Sequence, residues 1–291
     1  MNTNNKSKKL VFPVSNSNFD TAKFIILGVK SDDGSVYRKG SRYAPESMRE
    51  FLNKNEVAGV KINKNFSSFG IENKMLSSKV NDIGNVDISK LKIVVKKIEK
   101  NKKIPITIGG DHSITYKILS SINIRGSWGV AYFDAHPDLI SSRGKYFGSV
   151  LNDISKLPGF DPKSSVIVGT RTPEAEEIKN IQKLGIEIVT PLEIENEGLK
   201  NTIKKINRIL KNKTYISIDM DVLDPAFAPG VTEPEPAGIN PNQLISISKS
   251  IANKGIFGFD IMEICPKYDL NSMTQFLGYR VMLEIIDECK N

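Results

Sequence analysis

Short apolar runs of strand length alternate with segments of helical spacing along this 291-residue chain. FIILGV at Phe24–Val29 and IPITI at Ile104–Ile108 are of the first kind. Ser89–Lys100 is of the second, with apolar residues three and four positions apart. A strand that is apolar at nearly every position is buried on both faces, which is typical of parallel sheets. The alternation therefore predicts an α/β fold of three layers, with a single mostly parallel β-sheet and helices on both faces.

The composition is even along the chain and shows neither an internal repeat nor a break that would mark a linker. A length of 291 residues fits one large α/β domain. We therefore expect a single domain over residues 10–291, preceded by a disordered polar tail at residues 1–9.

Charge, cysteine content and the length of the apolar runs indicate which partners and which cell compartment to expect. Lys and Arg number 41 against 33 Asp and Glu, a net charge of +8. The basic residues are spread over helix-like segments such as Lys96–Lys103 and Lys204–Lys213, so we expect solvated helix faces and no nucleic-acid partner. The two cysteines are typical of a reducing compartment. No apolar run approaches the ~20 residues of a membrane span and no signal-peptide core is present, so we expect a cytoplasmic protein without a membrane partner.

The segment Gly129–Asp138 (GVAYFDAHPD) begins as an apolar run and ends in a group of potential metal ligands. Asp134, His136 and Asp138 are two residues apart, so on an extended chain their side chains leave the same face. Crowded carboxylates repel one another unless a positive charge lies among them, and a divalent metal ion would supply that charge. The alternative is a polar strand end with a capping Asp.

Three further apolar runs also deliver acids or histidine at their ends. In an open α/β sheet, the C-terminal ends of the strands form the edge at which ligands bind. The chain has two histidines, and both lie beside an Asp or close to one at the predicted strand ends: His112 here and His136 in Gly129–Asp138. Packing alone does not explain this placement well. The residues are Asp111 and His112 after Ile106–Ile108, Asp219 and Asp221 in Tyr215–Asp221, and Asp260 and Glu263 in Ile256–Ile264.

Three sequence blocks closely resemble the signature motifs of the ureohydrolases, the arginase and agmatinase family of manganese amidinohydrolases. They are GGDHS at 109–113, DAHPD at 134–138 and SIDMDVLDPAFAPG at 217–230. Weaker matches lie at Gly40–Arg49, Gly169–Arg171 and Met262–Pro266. The resemblance covers nearly the whole chain in the family's order. It implies an arginase-like fold and a homo-oligomer, either a trimer or a hexamer.

The resemblance also implies two Mn²⁺ ions per subunit. One would be held by His112, Asp134, Asp138 and Asp219, and the other by Asp134, His136, Asp219 and Asp221. Asp134 and Asp219 would bridge the two ions. Four carboxylates and two imidazoles form an oxygen-rich donor set, which suits Mn²⁺ better than thiolate-seeking metals. Capping or turn roles are the alternative for Asp219 and Asp221.

The chemistry expected of such a site is hydrolysis of a small guanidino substrate to urea and an amine. Two metal ions ~3.5–4 Å apart can hold a bridging water and lower its pKa, so that hydroxide attacks the guanidinium carbon. Asp138 is expected to hydrogen-bond that hydroxide and take its proton. Glu263 is expected to pair with the guanidinium, with a strand-end salt bridge as the alternative.

One family residue is missing from this chain. The ureohydrolases usually carry another histidine in a turn similar to Tyr-Ser-His-Ala, which is thought to pass a proton to the leaving amine. Here the turn is Tyr146-Phe147-Gly148-Ser149, with Gly148 at the histidine position. Another group or water must then supply the proton, or turnover is slow, since general-acid help is worth roughly 10²–10⁴-fold.

The loops favour agmatine as the substrate, to be hydrolysed to putrescine and urea. Leu139–Phe147 is short and lacks the Gly-Asn-Leu-His-Gly block of arginases, whereas Pro225–Ile239 looks like agmatinase. Glu233 or Glu235 could meet the cationic tail of agmatine, while Arg143 could instead prefer a carboxylate, as in guanidinobutyrate. Arginase, guanidinobutyrase and formiminoglutamase activities stay open, as does a poorly active metal-binding homologue.

Overall fold

Eight strands form one all-parallel sheet in the computed structural model, which describes residues 10–54, 79–141, 146–211 and 213–289. Across the sheet their order is β2-β1-β3-β8-β7-β4-β5-β6. The strands are β1 (Phe24–Val29), β2 (Val80–Val86), β3 (Ile104–Ile108), β4 (Trp128–Phe133), β5 (Val166–Val168), β6 (Glu187–Val189), β7 (Lys213–Asp219) and β8 (Ile256–Met262). The predicted tail at residues 1–9 lies outside the described residues.

Nine α-helices lie in the described part of the chain. They are α1 (Ala44–Lys54), α2 (Ile88–Lys100), α3 (Ile114–Leu119), α4 (Val150–Ile154), α5 (Ala175–Leu184), α6 (Pro191–Glu197), α7 (Leu199–Ile209), α8 (Pro241–Asn253) and α9 (Met273–Glu288). None of these helices combines the length and the apolar character needed to cross a membrane.

Alternate residues of the strands supply two hydrophobic cores, one on each face of the sheet. In β1, Phe24 and Ile26 enter the core that includes residues of α1, α8 and α9. Ile25 and Leu27 enter the core that includes residues of α2, α3 and α4. Full burial of such a side chain stabilises the fold by about 1.5–3 kcal/mol, which explains why the strand runs are apolar throughout. The predicted three-layer α/β fold is thereby confirmed.

Element boundaries follow the sequence prediction to within a few residues, with one additional helix. β1 and β3 begin and end as predicted. α8 follows Asn240, whose side chain accepts a hydrogen bond from the backbone N–H of Gln243. The side chain of Gln243 in turn accepts from the backbone N–H of Asn240. The apolar periodicity does not predict α6, although Thr190 and Pro191 are typical N-cap and first-turn residues. The Thr190 hydroxyl accepts from the backbone N–H of Glu193.

The order of strands brings together the four that carry the predicted ligands. β3, β8, β7 and β4 are consecutive neighbours, so their C-terminal ends lie along one edge. Phe133 of β4 pairs with Ile218 of β7, so that Asp134 and Asp219 follow at the same level. β8 pairs with both β3 and β7, which places Glu263 beside them. The candidate site therefore forms at the edge where ligands bind to open α/β sheets.

Candidate metal centre

His112 faces three of the predicted carboxylate ligands. Its Nδ1 atom lies 3.0 Å from Asp134 Oδ2, 3.2 Å from Asp219 Oδ2 and 3.6 Å from Asp138 Oδ2. All four side chains are buried, with at most 5% exposure. The structure thus brings together every member of the first predicted ligand set.

His136 forms a second group with Asp134 and Asp221. Its Nδ1 atom lies 3.4 Å from Asp134 Oδ1 and 3.2 Å from Asp221 Oδ2. Asp134 therefore turns one carboxylate oxygen to each histidine, as a residue shared by two metal ions would. Asp219, the other expected bridge, turns Oδ2 to His112, while its Oδ1 accepts from the backbone N–H of Asp221.

The donor atoms of both groups fit divalent cations. In each group, one imidazole nitrogen and two carboxylate oxygens lie within 4.8 Å of one another. Imidazole together with carboxylate suits Mn²⁺ and its neighbours in the transition series, and neither group contains a thiol.

The electrostatics of the cluster also favour a bound cation. Burial, reinforced by the charge of Asp134, raises the pKa of Asp138 well above its usual value. Burial and the charges of Asp221 and Asp134 do the same to the pKa of Asp219. Burial acts to raise the pKa of Asp134 too, but the two histidines outweigh it and lower that pKa. A nearby divalent ion would stabilise the ionised forms of all these acids.

A buried hydrogen-bond chain fixes the ring of His112. Its Nε2 atom lies 2.8 Å from Ser217 Oγ, and the Ser217 hydroxyl donates to Asp260 Oδ1. Asp260 Oδ2 accepts from the hydroxyls of Thr115 and Tyr215, both at 2.9 Å. With Nε2 engaged, Nδ1 faces the carboxylates, and metal-binding histidines are commonly oriented by such an outer partner. Asp260 therefore supports the cluster through Ser217 rather than joining it.

Tyr132 also belongs to the cluster, although the sequence motifs do not single it out. Its ring stacks on that of His112, with centroids 4.7 Å apart and planes 2° from parallel. Its hydroxyl donates to Asp138 Oδ2 and lies 3.1 Å from His112 Nδ1. The available signal is spacing, because Tyr132 precedes Asp134 by two positions and so shares the alternation that groups Asp134 with His136.

The two residues with predicted catalytic roles, Asp138 and Glu263, adopt left-handed backbone conformations. Their φ angles are 52° and 61°, values that residues other than glycine seldom adopt. Such conformations cost of the order of 1–3 kcal/mol each and persist where the surrounding structure enforces them, often at active sites. Lys102, Ala237, Asn271 and Ser272 share such φ angles, so the conformation is not confined to the site.

Glu263 is buried beside His112 with both carboxylate oxygens in hydrogen bonds. Oε1 accepts from the backbone N–H of His112 at 2.7 Å, and Oε2 accepts from the Thr232 hydroxyl at 2.6 Å. Burial, reinforced by the charge of Asp111, raises the pKa of Glu263 to about 8. Since each oxygen has two lone pairs, Glu263 keeps acceptor capacity beyond these two partners.

An acidic cavity of about 490 Å³ borders the second ligand group. His136, Tyr146 and Gly148 lie in its wall, whereas Glu263 does not. Glu233 Oε2 is 4.0 Å from His136 Nε2. Among the described residues, five carboxylates line the cavity against the single guanidinium of Arg38: Asp138, Glu174, Glu177, Glu233 and Glu235. Arg143, which the sequence placed near the site, lies outside the described residues.

Arg171, from one of the weaker sequence matches, ties the loop at residues 225–239 to the strand ends. Its guanidinium donates to the backbone carbonyl oxygens of Asp221, Glu235 and Pro236, at 2.8, 2.6 and 2.9 Å. A planar guanidinium offers five N–H donors, so one side chain can hydrogen-bond backbone carbonyl groups of several segments at once. This loop carries Glu233 to the cavity.

Comparisons with known proteins identify the family of the chain. A profile of the Arginase family matches residues 22–287. Proclavaminate amidinohydrolase of Streptomyces clavuligerus is 28% identical over 90% of this chain and 86% of its own length. An agmatinase of Neisseria meningitidis serogroup C is 27% identical over 91% and 86%. The crystal structure of the agmatine ureohydrolase of Thermoplasma volcanium aligns with a TM-score of 0.80 at 26% identity, over 97% of this chain and 94% of that one. The chain therefore belongs to the arginase family and is a hydrolase of carbon–nitrogen bonds in linear amidines.

Proposed function

We propose that this protein is an agmatinase, which binds two Mn²⁺ ions and hydrolyses agmatine to putrescine and urea. The observation that carries the proposal is the charge of the cavity beside the ligand groups, where five carboxylates face one arginine. Agmatine has a guanidinium at one end and an ammonium at the other, so an acidic cavity attracts both ends. Relatives named agmatinase and agmatine ureohydrolase support the same substrate.

The metal ligands in this proposal are the six residues of the two groups. His112, Asp134, Asp138 and Asp219 would hold one ion, and Asp134, His136, Asp219 and Asp221 the other. When bound, the ions would lower the pKa of a water molecule and so supply a nucleophile at neutral pH. Asp138 would accept the proton of that water. The hydrogen bond from Tyr132 sets the direction in which the Asp138 carboxylate points.

Glu263 and the acidic lining would position the substrate. The lone pairs of Glu263 that His112 and Thr232 leave unused would accept the guanidinium N–H groups. Glu233 and Glu235 in the cavity wall would accept the terminal ammonium. Holding both ends keeps the weakly electrophilic guanidinium carbon in place for attack.

Arg38 favours a second candidate, a guanidino acid such as guanidinobutyrate. Its guanidinium is the one arginine group that lines the cavity within the described residues, and it would pair with a carboxylate. Arg38 lies over the rings of Tyr37 and Tyr268, with its Cζ atom 5.6 and 4.7 Å from their centroids. One fixed cation against the four acids that are not proposed metal ligands leaves agmatine the better match.

We further propose a single domain over residues 10–291, a cytoplasmic location and assembly into a trimer or hexamer. The single sheet that runs through the described residues supports one domain. Cys265 and Cys289 are buried and unpaired, as expected in a reducing compartment.

Product release after manganese loading tests the proposed reaction. Agmatine, arginine and guanidinobutyrate would be scored by urea, and formiminoglutamate by formamide. We expect metal-dependent urea from agmatine and little product from the others. Asp134→Ala is the inactive control, and Glu197→Ala, at an exposed site outside the cavity, is the active one.

Two results would change the assignment. Turnover of another panel compound alone would transfer the activity to that compound. Two bound metal ions without product from any compound would identify a poorly active homologue.

A further inference from the structure

The side chain of Tyr146 occupies the space that a side chain at position 148 would take. A Cβ atom on Gly148 would lie 2.7 Å from Tyr146 Cε1 and 2.9 Å from both Cζ and Oη, closer than real Cβ atoms approach. Gly148 has no positive φ angle, so the backbone does not require glycine there. A larger residue at position 148 would therefore have to displace the tyrosine ring.

Tyr146 is part of the cavity wall, together with His136 and Asp138. Burial and the charges of Glu233 and Asp138 raise the pKa of its phenol, which is therefore protonated at neutral pH. Its backbone is anchored, because its carbonyl oxygen accepts from both the N–H and the hydroxyl of Ser149, at 3.3 and 2.9 Å. The backbone of Tyr146 is thus fixed at the cavity wall, and its side chain carries a protonated phenol.

We infer that the Tyr146 phenol is the catalytic acid that protonates the departing amine, from the space that a side chain at position 148 would otherwise fill. The inference rests on the proposed hydrolysis of a guanidino substrate. When the tetrahedral intermediate collapses, the carbon–nitrogen bond breaks and its electron pair moves to the nitrogen, which takes the phenol proton. Protonated urea remains and returns its O–H proton to the phenolate. The neutral amine then takes the proton that Asp138 had accepted.

The nearby acid Glu177 is less suited to this role. One of its oxygens accepts from the backbone N–H of Leu139 at 3.0 Å, and the other from that of Glu174 at 2.9 Å. These bonds hold both oxygens of Glu177 against backbone N–H groups at the start of α5, and they act to lower its pKa, although burial raises that pKa overall.

Tyr146→Phe tests the inference, since it keeps the ring and removes the donor. Loss of a general acid predicts that kcat falls by roughly 10²-fold or more while KM changes little. Tyr43→Phe, at an exposed tyrosine outside the cavity, is the matched control and should keep the wild-type kcat. Urea release from the panel compound that the wild type turns over best gives both constants, and the metal content of each variant is measured beside it.

A histidine at position 148 provides the reciprocal test. Gly148→His alone must displace the Tyr146 ring, so we expect no gain in kcat. In Tyr146→Ala the space is open, and adding Gly148→His should recover at least about tenfold in kcat by restoring a general acid.

The outcomes separate the inference from the proposed function. A Tyr146→Phe variant with the wild-type kcat, or with only a raised KM, would overturn the inference and leave the proposed function intact. Failure of the wild type to release product from any panel compound would overturn the proposed function, and the role of Tyr146 with it.

Discussion

His112 and His136 hold equivalent places in the two ligand groups, but their surroundings differ. His112 is wholly buried, and Ser217 and Tyr132 contact its ring. His136 keeps 21% of its side chain exposed and borders the acidic cavity. We call the first region the floor, formed by His112, Ser217, Asp260 and Tyr132. We call the second region the mouth, formed by His136, Tyr146, Glu233, Glu235 and Arg38.

The difference separates what holds the metal site from what selects the substrate. Polar groups of the floor are bonded to other protein groups, as in the chain from His112 through Ser217 to Asp260. Charged groups of the mouth face a cavity, so a substrate can still bind them. Preorganised polar groups cost no rearrangement when the reaction begins, whereas exposed charges discriminate between substrates.

The largest effect is expected where both ligand groups meet, at Asp134. Asp134→Asn removes a charge that each histidine faces, so we expect at most one bound ion per chain and no measurable urea release. Elemental analysis of the manganese-loaded protein would measure the loss. Retention of both ions would show that Asp134 is not shared.

A smaller loss is expected from Ser217→Ala, which disturbs only the floor. Removing an outer partner of a metal-binding histidine commonly lowers metal affinity or activity about 10–100-fold. The matched control is Ser248→Ala, since that buried hydroxyl, among the residues that the structure describes, bonds only to carbonyl oxygens of its own helix, those of Leu244 and Ile245. Manganese titrations of the two variants would be compared. Equal affinities would mean that Ser217 does not orient His112.

The metal-free protein should lose stability as the pH rises from 4.5 towards 8. Burial and Asp111 raise the pKa of Glu263 from 4.5 to about 8, so in this range the folded state keeps a proton that the unfolded state has released. The free energy of unfolding then falls with pH, by up to about 1.4 kcal/mol per pH unit from this group. Chemical denaturation across the range should show a shallower fall for Glu263→Gln, and parallel curves would argue against the raised pKa.

The smallest effects are expected at the mouth. Glu233→Gln should raise KM for agmatine about twofold to fivefold with little change in kcat, because a partly exposed charge pair is worth up to about 1 kcal/mol. Arg38→Gln should leave KM for agmatine unchanged or lower it, and should weaken any binding of guanidinobutyrate. Steady-state kinetics on both compounds would test the pair. The opposite pattern would assign the cavity to a guanidino acid.

The placement of His112, Asp134 and Asp219 at one edge of the sheet could be predicted without the order of strands, although that order decides that they are neighbours. Asp219 ends an apolar run, Asp134 directly follows one and His112 lies four residues after one, and the C-terminal ends of parallel strands share one edge of the sheet. Alternation along an extended chain also predicts His136 and Asp138, but β4 ends at Phe133 and Asp138 has a left-handed backbone, so the turn after the strand brings these two residues to the site. The absence of the family's histidine at position 148 is also visible in the sequence, but the Tyr146 ring that fills the space beside Gly148 is not.

The sequence by itself determined the fold class and the chemistry of the donor set, because both follow from local patterns of apolar and ionisable residues. The tertiary structure decided what supports the donors and what fills the cavity wall. Glu263 reaches the backbone of His112 across 151 positions, and Ser217 reaches Asp260 across 43, because β8 lies between β3 and β7. The Tyr146 ring takes the space beside Gly148 through packing alone. Strand order and packing volume leave no local signal, so these contacts emerge only once the chain is folded.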